Sequence, residues 1–365
     1  MTNLDFTTPA KSLNTHFIGR EYAFKAIDKL WTVSAGQPRS MLFWGDWNVG
    51  KSEVLWNVDK HYQNINVAYA NLQCLGVDRE DNDVWLALAL ALDKIDAIFL
   101  LNTVIFRDKD NAYPAFVEYL EQALNRHPNR KLLLAIDQYE EFLNIPGATI
   151  ILKQLEALTL KHDRLAFLLC GSHDIGSDAG KAQLDFKPTR KFWLRFFTKE
   201  ETAEFCNQQP YKFDADAIDR LHELTSGQPW LVRGLCFNII NEFNWATQEE
   251  HEIRSRVTIF DVEEFANSDR FYENHNPYFS SLWDRSISFG YITLQQVLLE
   301  LVEDPDGFTV VDIALELGTR HTREVYEVCQ AATSVSLLEK LKENGTEIYR
   351  VVIELFRRWI IRTQK

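Results

Sequence analysis

Apolar residues in this chain fall in short unbroken runs, separated by longer stretches in which they recur every third or fourth position. The runs are Met41-Leu42-Phe43-Trp44, Ile65 to Ala70, Leu132 to Ile136 and Leu165 to Gly171. Unbroken runs of this length predict strands buried on both faces, as in a parallel sheet. Phe192-Trp193-Leu194 predicts a last strand. Residues 21–33, 52–62, 83–101, 112–126 and 149–161 carry helical spacing instead. Strands alternating with helices predict an α/β domain over residues 1–195, its parallel sheet covered on both faces.

After Thr198 the pattern changes. Thr198 and Glu201 stand at capping-box spacing, and helical periodicity runs to about Phe243, with breaks at Pro210 and at Gly227-Gln228-Pro229. One further helix is expected over 258–272, entered through Thr258 or Asp261. Residues 196–280 therefore predict a helical lid domain. From 281 onward, Thr293–Val302, Thr309–Leu317 and Thr322–Ala332 predict three helices. Leu337–Leu341 and Glu347–Val352 flank a turn at Asn344-Gly345. Three helices and a hairpin are a winged-helix order, expected over 281–365.

At 365 residues the chain has room for two or three domains, and 46% hydrophobic and 25% charged residues exclude disordered and fibrous classes. The net charge of -14 repels nucleic acid and anionic membranes as a whole. Five scattered cysteines, none spaced Cys-x-x-Cys, speak against a structural zinc or a disulfide framework and for a reducing cytoplasm. Met1 to Ser12 holds no apolar signal region. The longest apolar stretch, Val84 to Leu101, is interrupted by Asp93, Lys94 and Asp96, so a buried helix is expected and no membrane span.

Between the first run and the helix after it lies Gly45-Asp46-Trp47-Asn48-Val49-Gly50-Lys51-Ser52, the pattern G-x-x-x-x-G-K-[S/T]. Its glycines let successive backbone N–H groups point inward at phosphate oxygens, and the following helix adds its N-terminal dipole. Lys51 is expected to bridge the β- and γ-phosphates and Ser52 to ligate Mg²⁺. Gly45 through Glu53 are thus the expected contacts of a nucleoside triphosphate, ATP or its product ADP. Leu132 to Ile136 ends in Asp137, an acid at the end of a buried strand, where a Mg²⁺ ion reached through water or Ser52 gives it a partner. Many ATPases of this architecture have Glu next; here Gln138 follows, then Tyr139, Glu140 and Glu141. Gln orients a water but is a poor base, so either a nearby Glu, with Glu141 preferred, takes that role or hydrolysis is slow. Ser172 and His173, after the run ending at Gly171, are candidates to touch the γ-phosphate. Trp47, inside the loop, is expected to pack against the lid or a partner.

With these motifs the chain resembles a family. Phe17-Ile18-Gly19-Arg20-Glu21 resembles the segment that precedes the phosphate loop in AAA+-related ATPases. Asp137-Gln138-Tyr139-Glu140-Glu141-Phe142 is similar to the Asp-Gln-Phe-Glu-Glu stretch of some STAND NTPases. Thr225-Ser226-Gly227-Gln228-Pro229-Trp230-Leu231 resembles the Gly-x-Pro motif of STAND proteins and their archaeal-ATPase relatives. Ile353-Glu354-Leu355-Phe356-Arg357-Arg358-Trp359-Ile360 is similar to the end of their winged helix. The resemblance implies that Gly19 and Arg20 lie near the adenine and that Pro229 closes over the nucleotide. It implies a switch, held closed by ADP and opened or oligomerised by ATP with a signal, often in defence or signalling. Two departures stand out: no residues are left for a sensor array or effector domain, so a separately encoded partner is expected, and Ser172-His173 replaces the usual sensor arginine.

A DNA-associated AAA+ ATPase, a transposition or replication loader, is the alternative. Against it, acids outnumber cations twelve to ten from Arg285 to Lys365, and the third expected helix sets Glu324 and Glu327 beside Arg323. An interaction or autoinhibitory module fits that charge better. Arg357, Arg358 and Trp359 either contact the nucleotide domain in a closed state or belong to a solvated helix with one buried Trp.

Overall fold

The computed structural model describes residues 17–75, 80–96, 103–171, 186–249, 255–343 and 345–365. The chain divides into two compact units, Met1–Arg195 and Phe196–Lys365.

In the first unit the elements follow as α1 (Glu21–Asp28), β1 (Ser40–Trp44), α2 (Lys51–His61), β2 (Ile65–Asn71), α3 (Asp81–Asp96), α4 (Lys109–Arg126), β3 (Lys131–Asp137), α5 (Ala148–Lys161), β4 (Leu165–Gly171) and β5 (Arg190–Trp193). The strands form one parallel sheet in the order β2-β3-β4-β1-β5. Each of the four apolar runs thus became a strand; β1, β3 and β4 bury residues on both faces, whereas β2, at the sheet edge, keeps Val67 and Tyr69 half-buried. Leu42, Ala68, Ala70, Leu134, Ile136, Phe167 and Leu169 join a core with α3, α4 and α5, from Trp85, Leu88, Phe116, Leu120, Leu152 and Leu155. Met41, Phe43, Leu133, Ala135 and Leu168 alternate with them and are equally buried. Each of the larger of these side chains stabilises the fold by about 1.5–3 kcal/mol. Pairing aligns the strand ends: Trp44 lies opposite Gly171, and Asp137 opposite both Cys170 and Asn71. Loops leaving β1 and β3 therefore start at one level of the sheet.

The second unit holds α6 (Lys199–Asn207), β6 (Lys212–Phe213), α7 (Ala215–Thr225), α8 (Pro229–Glu249), β7 (Arg256–Val257), α9 (Ile259–Ala266) and α10 (Asp269–Trp283). It continues through β8 (Ser288–Phe289), β9 (Ile292–Thr293), α11 (Leu294–Leu301), α12 (Val310–Glu316), α13 (Thr322–Ser334), β10 (Leu338–Glu343), β11 (Thr346–Val351) and α14 (Glu354–Thr363). Capping boxes start α6 (Thr198/Glu201), α9 (Thr258/Asp261), α11 (Thr293/Gln296) and α12 (Thr309/Asp312). The single helix expected over 258–272 is two helices. Ser268 accepts a hydrogen bond from Phe271 N–H and starts α10 afresh, although apolar spacing continues across the break.

Helix α14 fastens the stretch expected as a lid to the stretch expected as a winged helix, and both lie in this one unit. Arg358 reaches Glu263 and Asn267, Arg362 reaches Asp269, and the Trp359 indole donates to Asn276. Trp359 is buried against Phe279 and Phe356. The Arg-Arg-Trp group is therefore engaged within its own unit, and the Trp is the buried one of the two readings.

The Gly-x-Pro segment is a helix-to-helix turn. Ser226 and Gly227 both take left-handed backbone, with φ of 50° and 72°, which stops α7. Gln228 then caps α8 through its side-chain oxygen, which accepts from Leu231 N–H at 2.8 Å, and Pro229 takes the first helical position. A Cβ at Gly227 would lie 2.2 Å from the Phe197 carbonyl oxygen, whereas one at Gly318, also left-handed, would meet nothing within 4 Å. Gly318→Ala should cost only the left-handed strain of about 1 kcal/mol. Gly227→Ala should cost at least about 2 kcal/mol more. Urea midpoints of the two variants check this, and equal midpoints would show that the Phe197 contact gives way freely.

Candidate functional site

Gly45 leaves β1 where β5 ends beside it. The Leu194 N–H donates to the Trp44 carbonyl at 2.8 Å, and a Cβ at Gly45 would sit 2.7 Å from the Leu194 oxygen. Glycine is needed there for close backbone approach. Asn48 and Gly50 take left-handed backbone, and Gly50 is the N-cap of α2. The loop thus ends on a helix N-terminus whose first N–H groups have no intrahelical acceptor, an anion-binding arrangement.

Lys51 is 8% exposed and folds back, its Nζ donating to the Gly45 and Asp46 carbonyls at 2.9 and 2.8 Å. Burial pushes its pKa below the ordinary lysine value, while Cys170, Glu140, Asp137 and Asp46 pull it upward. Asp137 is 1% exposed. Its Oδ2 accepts from the Ser52 hydroxyl at 2.5 Å and from the Tyr69 hydroxyl at 2.8 Å, and its Oδ1 from Gln138 N–H at 3.0 Å. Burial raises its pKa above the ordinary aspartate value, and those donors together with Lys51 oppose the rise. The strand-end acid and the loop hydroxyl are in direct contact, two strands apart in the sheet.

Gln138 is left-handed, with φ of 58°, a backbone that side chains other than glycine adopt at a cost of about 1–3 kcal/mol. It leads into a 3₁₀ helix, Tyr139–Asn144. In that turn the two acids meet different neighbours. A Cβ at Gly171 would lie 2.3 Å from the Tyr139 ring and 2.6 Å from Glu140 Oε2, so Glu140 stands over the end of β4, and its charge acts on Lys51. Glu141 instead accepts from Asn144 Nδ2 at 3.3 Å. Of the two, Glu140 is the one whose charge acts on Lys51.

Arg20 is buried. Its guanidinium donates to the Val49 carbonyl at 2.6 Å, the Arg195 carbonyl at 3.0 Å and the Tyr22 hydroxyl at 2.9 Å. These bonds engage the side chain in bracing the phosphate loop, a role the sequence did not predict. Gly19 precedes it in left-handed backbone. Glu53 follows in the first turn of α2, and its carbonyl accepts from Asn57. Trp47 is 41% exposed, as its place in the loop implied. Pro229 belongs to the second unit, and Ser172 and His173 lie outside the described residues. Tyr69 is the functional-site residue the sequence reading missed. A tyrosine near the end of a buried strand needs a partner for its hydroxyl, and that was the available signal.

The residues fit a magnesium–phosphate group: α2 starts at the end of the loop, and one buried carboxylate and one hydroxyl meet near the lysine. Among the described residues no group of three or more His, Cys, Asp or Glu could hold a metal ion. The five cysteines are free thiols. Among the described residues no helix is long and apolar enough to cross a membrane.

A five-stranded parallel sheet with a phosphate loop after β1 and an acid closing β3 defines the fold of the P-loop ATPases. Among solved structures, a Walker-type ATPase of Pyrococcus abyssi is similar over 98% of this chain and 99% of its own, at 13% identity and a TM-score of 0.59. Cdc6p from Pyrobaculum aerophilum (14% identity, 98% of each chain, TM-score 0.47) is less similar. So is the Orc1 protein of Aeropyrum pernix, solved in complex with DNA (13% identity, 97% of this chain and 95% of that one, TM-score 0.46). At these identities the likeness is one of fold. No family model and no curated protein matches the sequence.

A lysine held at a net cost in desolvation is a mark of a binding site. Its folded pKa lies below 10.5, so the unfolded chain holds more protons between the two values, and stability rises with pH across that window. Below that window the cost is at its largest. Lys51→Met should therefore leave the ligand-free protein as stable as before, or about 1 kcal/mol more stable. The difference should shrink as pH rises toward 10. Thermal melts of both proteins from pH 7 to 10 test it, and a large loss of stability in the variant would make Lys51 a structural residue.

Proposed function

We propose that this chain is an ATP-binding, slowly hydrolysing molecular switch of the STAND type that regulates or assembles with a separately encoded partner. The observation that carries the nucleotide part is the contact of Ser52 with Asp137 beneath a desolvated Lys51. This reading assigns the phosphates to the N–H groups from Asp46 to Ser52 and to Lys51. It assigns Mg²⁺ to Ser52, with Asp137 behind it. Bound Mg²⁺ would neutralise phosphate charge and polarise the terminal phosphoryl group. Glu140 is the residue placed to take a proton from an attacking water, with Gln138 orienting it. A left-handed Gln next to Asp137, where a Glu would be the stronger base, supports low turnover.

The switch part rests on the resemblance of the Gly-x-Pro turn and of α14 to STAND proteins. In this reading α11–α13 with the β10–β11 hairpin form a winged helix, Pro229 is the residue that the resemblance assigns to the lid's nucleotide contact, and the backbone of Gly19 lies toward the adenine. A protein partner fits better than nucleic acid. Helix α12 exposes Val311 and Leu315, and the α13 residues Glu324 and Glu327 accompany Arg323. The reading places the chain in a signalling or defence system, in the cytoplasm, with oligomerisation on activation.

Mg²⁺–ATP at one hundred times its Kd should stabilise the native protein by about 2.7 kcal/mol. Lys51→Ala should lose that increment, and Asp137→Ala should lose its Mg²⁺-dependent share. Glu140→Gln should slow ATP turnover roughly 100-fold with binding retained, whereas Glu141→Gln should stay within about twofold of native. Calorimetric binding with a phosphate-release assay reads both. Native protein that ATP does not stabilise, or a slow Glu141→Gln beside a normal Glu140→Gln, would refute these assignments.

A further inference from the structure

Tyr69 is not in the phosphate loop, the acidic strand or any motif, yet its hydroxyl shares one carboxylate oxygen with Ser52. Three elements meet on this carboxylate. Ser52 comes from the first turn of α2, Tyr69 from β2 with Ala135 opposite it on β3, and Gln138 N–H from the turn after β3. The phenol is itself seated by α2. Trp56 stands four residues after Ser52, on the same face of that helix, and meets the Tyr69 ring edge-on at 6.1 Å between centroids. Ser52, Asp137, Tyr69 and Trp56 thus close a ring in which α2 and β2 each fix the other's hydroxyl.

We propose that Tyr69 is a positioning residue for the metal-side carboxylate: it holds Asp137 Oδ2 toward the Ser52 hydroxyl, so that serine and carboxylate present one prealigned cation site. This rests on the nucleotide reading above and extends it to a residue outside every motif. A carboxylate turns freely about its last torsion unless its oxygens are held. Two donors on Oδ2 and one on Oδ1 fix its plane. When Ser52 turns a lone pair to a cation, its proton still points at Oδ2, so the Tyr69 bond is kept rather than exchanged. Loss of the phenol hydroxyl leaves a buried carboxylate oxygen with Ser52 as its one remaining side-chain donor among the described residues. It also frees the group to rotate away from the hydroxyl it must share an ion with.

The test is Tyr69→Phe in the full chain, which keeps the ring against Trp56 and removes one oxygen. ATP affinity is measured by calorimetry with saturating Mg²⁺ and again with chelator in place of Mg²⁺. A hydrogen bond to a charged group predicts a loss of about tenfold with Mg²⁺. Without the metal, affinity should be unchanged within about twofold. A merely structural role would weaken both measurements together, and that result overturns the proposal. Affinity with Mg²⁺ equal to or tighter than native, in a chain whose native form binds normally, overturns it as well. Failure of the native protein to bind ATP at all is a separate outcome: it removes the nucleotide reading and this inference with it.

Discussion

The burial of opposite charges at the carboxyl end of the sheet is the constraint on which the rest of the structure turns. Asp137 and Lys51 are both nearly without solvent, and each has its pKa driven toward the neutral form by that burial. Such groups survive in a fold only where hydrogen bonds meet them or where a ligand repays the loss. Here Lys51 bonds the loop's own carbonyls, and Asp137 takes donors from three elements. Neither arrangement is the cheapest way to fill that space. A pair of apolar side chains would pack with less cost, and so the charges point to a ligand that needs them.

The sheet makes this arrangement rigid. Parallel register brings the ends of β1, β3 and β4 to one level, and the core on both faces leaves them little room to move. Arg20 ties the loop's far side by bonding Val49, and β5 presses on Gly45 through Leu194. The loop is therefore held from β5, from the segment before α1 and from α2 independently. Preorganisation of this kind spares a ligand the ordering cost of building its own site.

Much of this was legible in the sequence, because the signals were local. An unbroken apolar run is a buried strand wherever it lies, and G-x-x-x-x-G-K-S between a run and a helix has one backbone solution. Tyr69 was not legible in that way. Within Ile65–Ala70 it read as one more apolar residue, and its partner lies on another strand. Spacing alone does not tell Glu140 from Glu141. A left-handed Gln138 followed by a 3₁₀ turn advances each side chain by about 120° instead of 100°, and in that turn Glu140 lies against Gly171 with its charge acting on Lys51. Arg20 carried a resemblance to a nucleotide-facing motif, but a guanidinium with three protein acceptors has a structural task that spacing cannot show. The break between α9 and α10 was hidden for the opposite reason: apolar spacing ran on through it, and only the cap at Ser268 stops the helix.

The second unit carries the same logic into the parts that differ most from a bare nucleotide-binding domain. The Gly-x-Pro turn is defined by backbone handedness and by a carbonyl that leaves no space for a side chain, so its glycine has a reason to be there whatever the proline touches. Helix α14 is tied to α9 and α10 by Arg358, Arg362 and Trp359, and Ser226 of the turn donates to the Val352 carbonyl just before that helix. The turn and the C-terminal helix are thus mechanically joined. A displacement of α8 at its first residues would strain a bond to the strand–helix junction 126 positions away in sequence. A connection of that kind suits a switch: the Gly-x-Pro turn and the strand–helix junction before α14 share one hydrogen-bonded corner, so a shift of either loads the other.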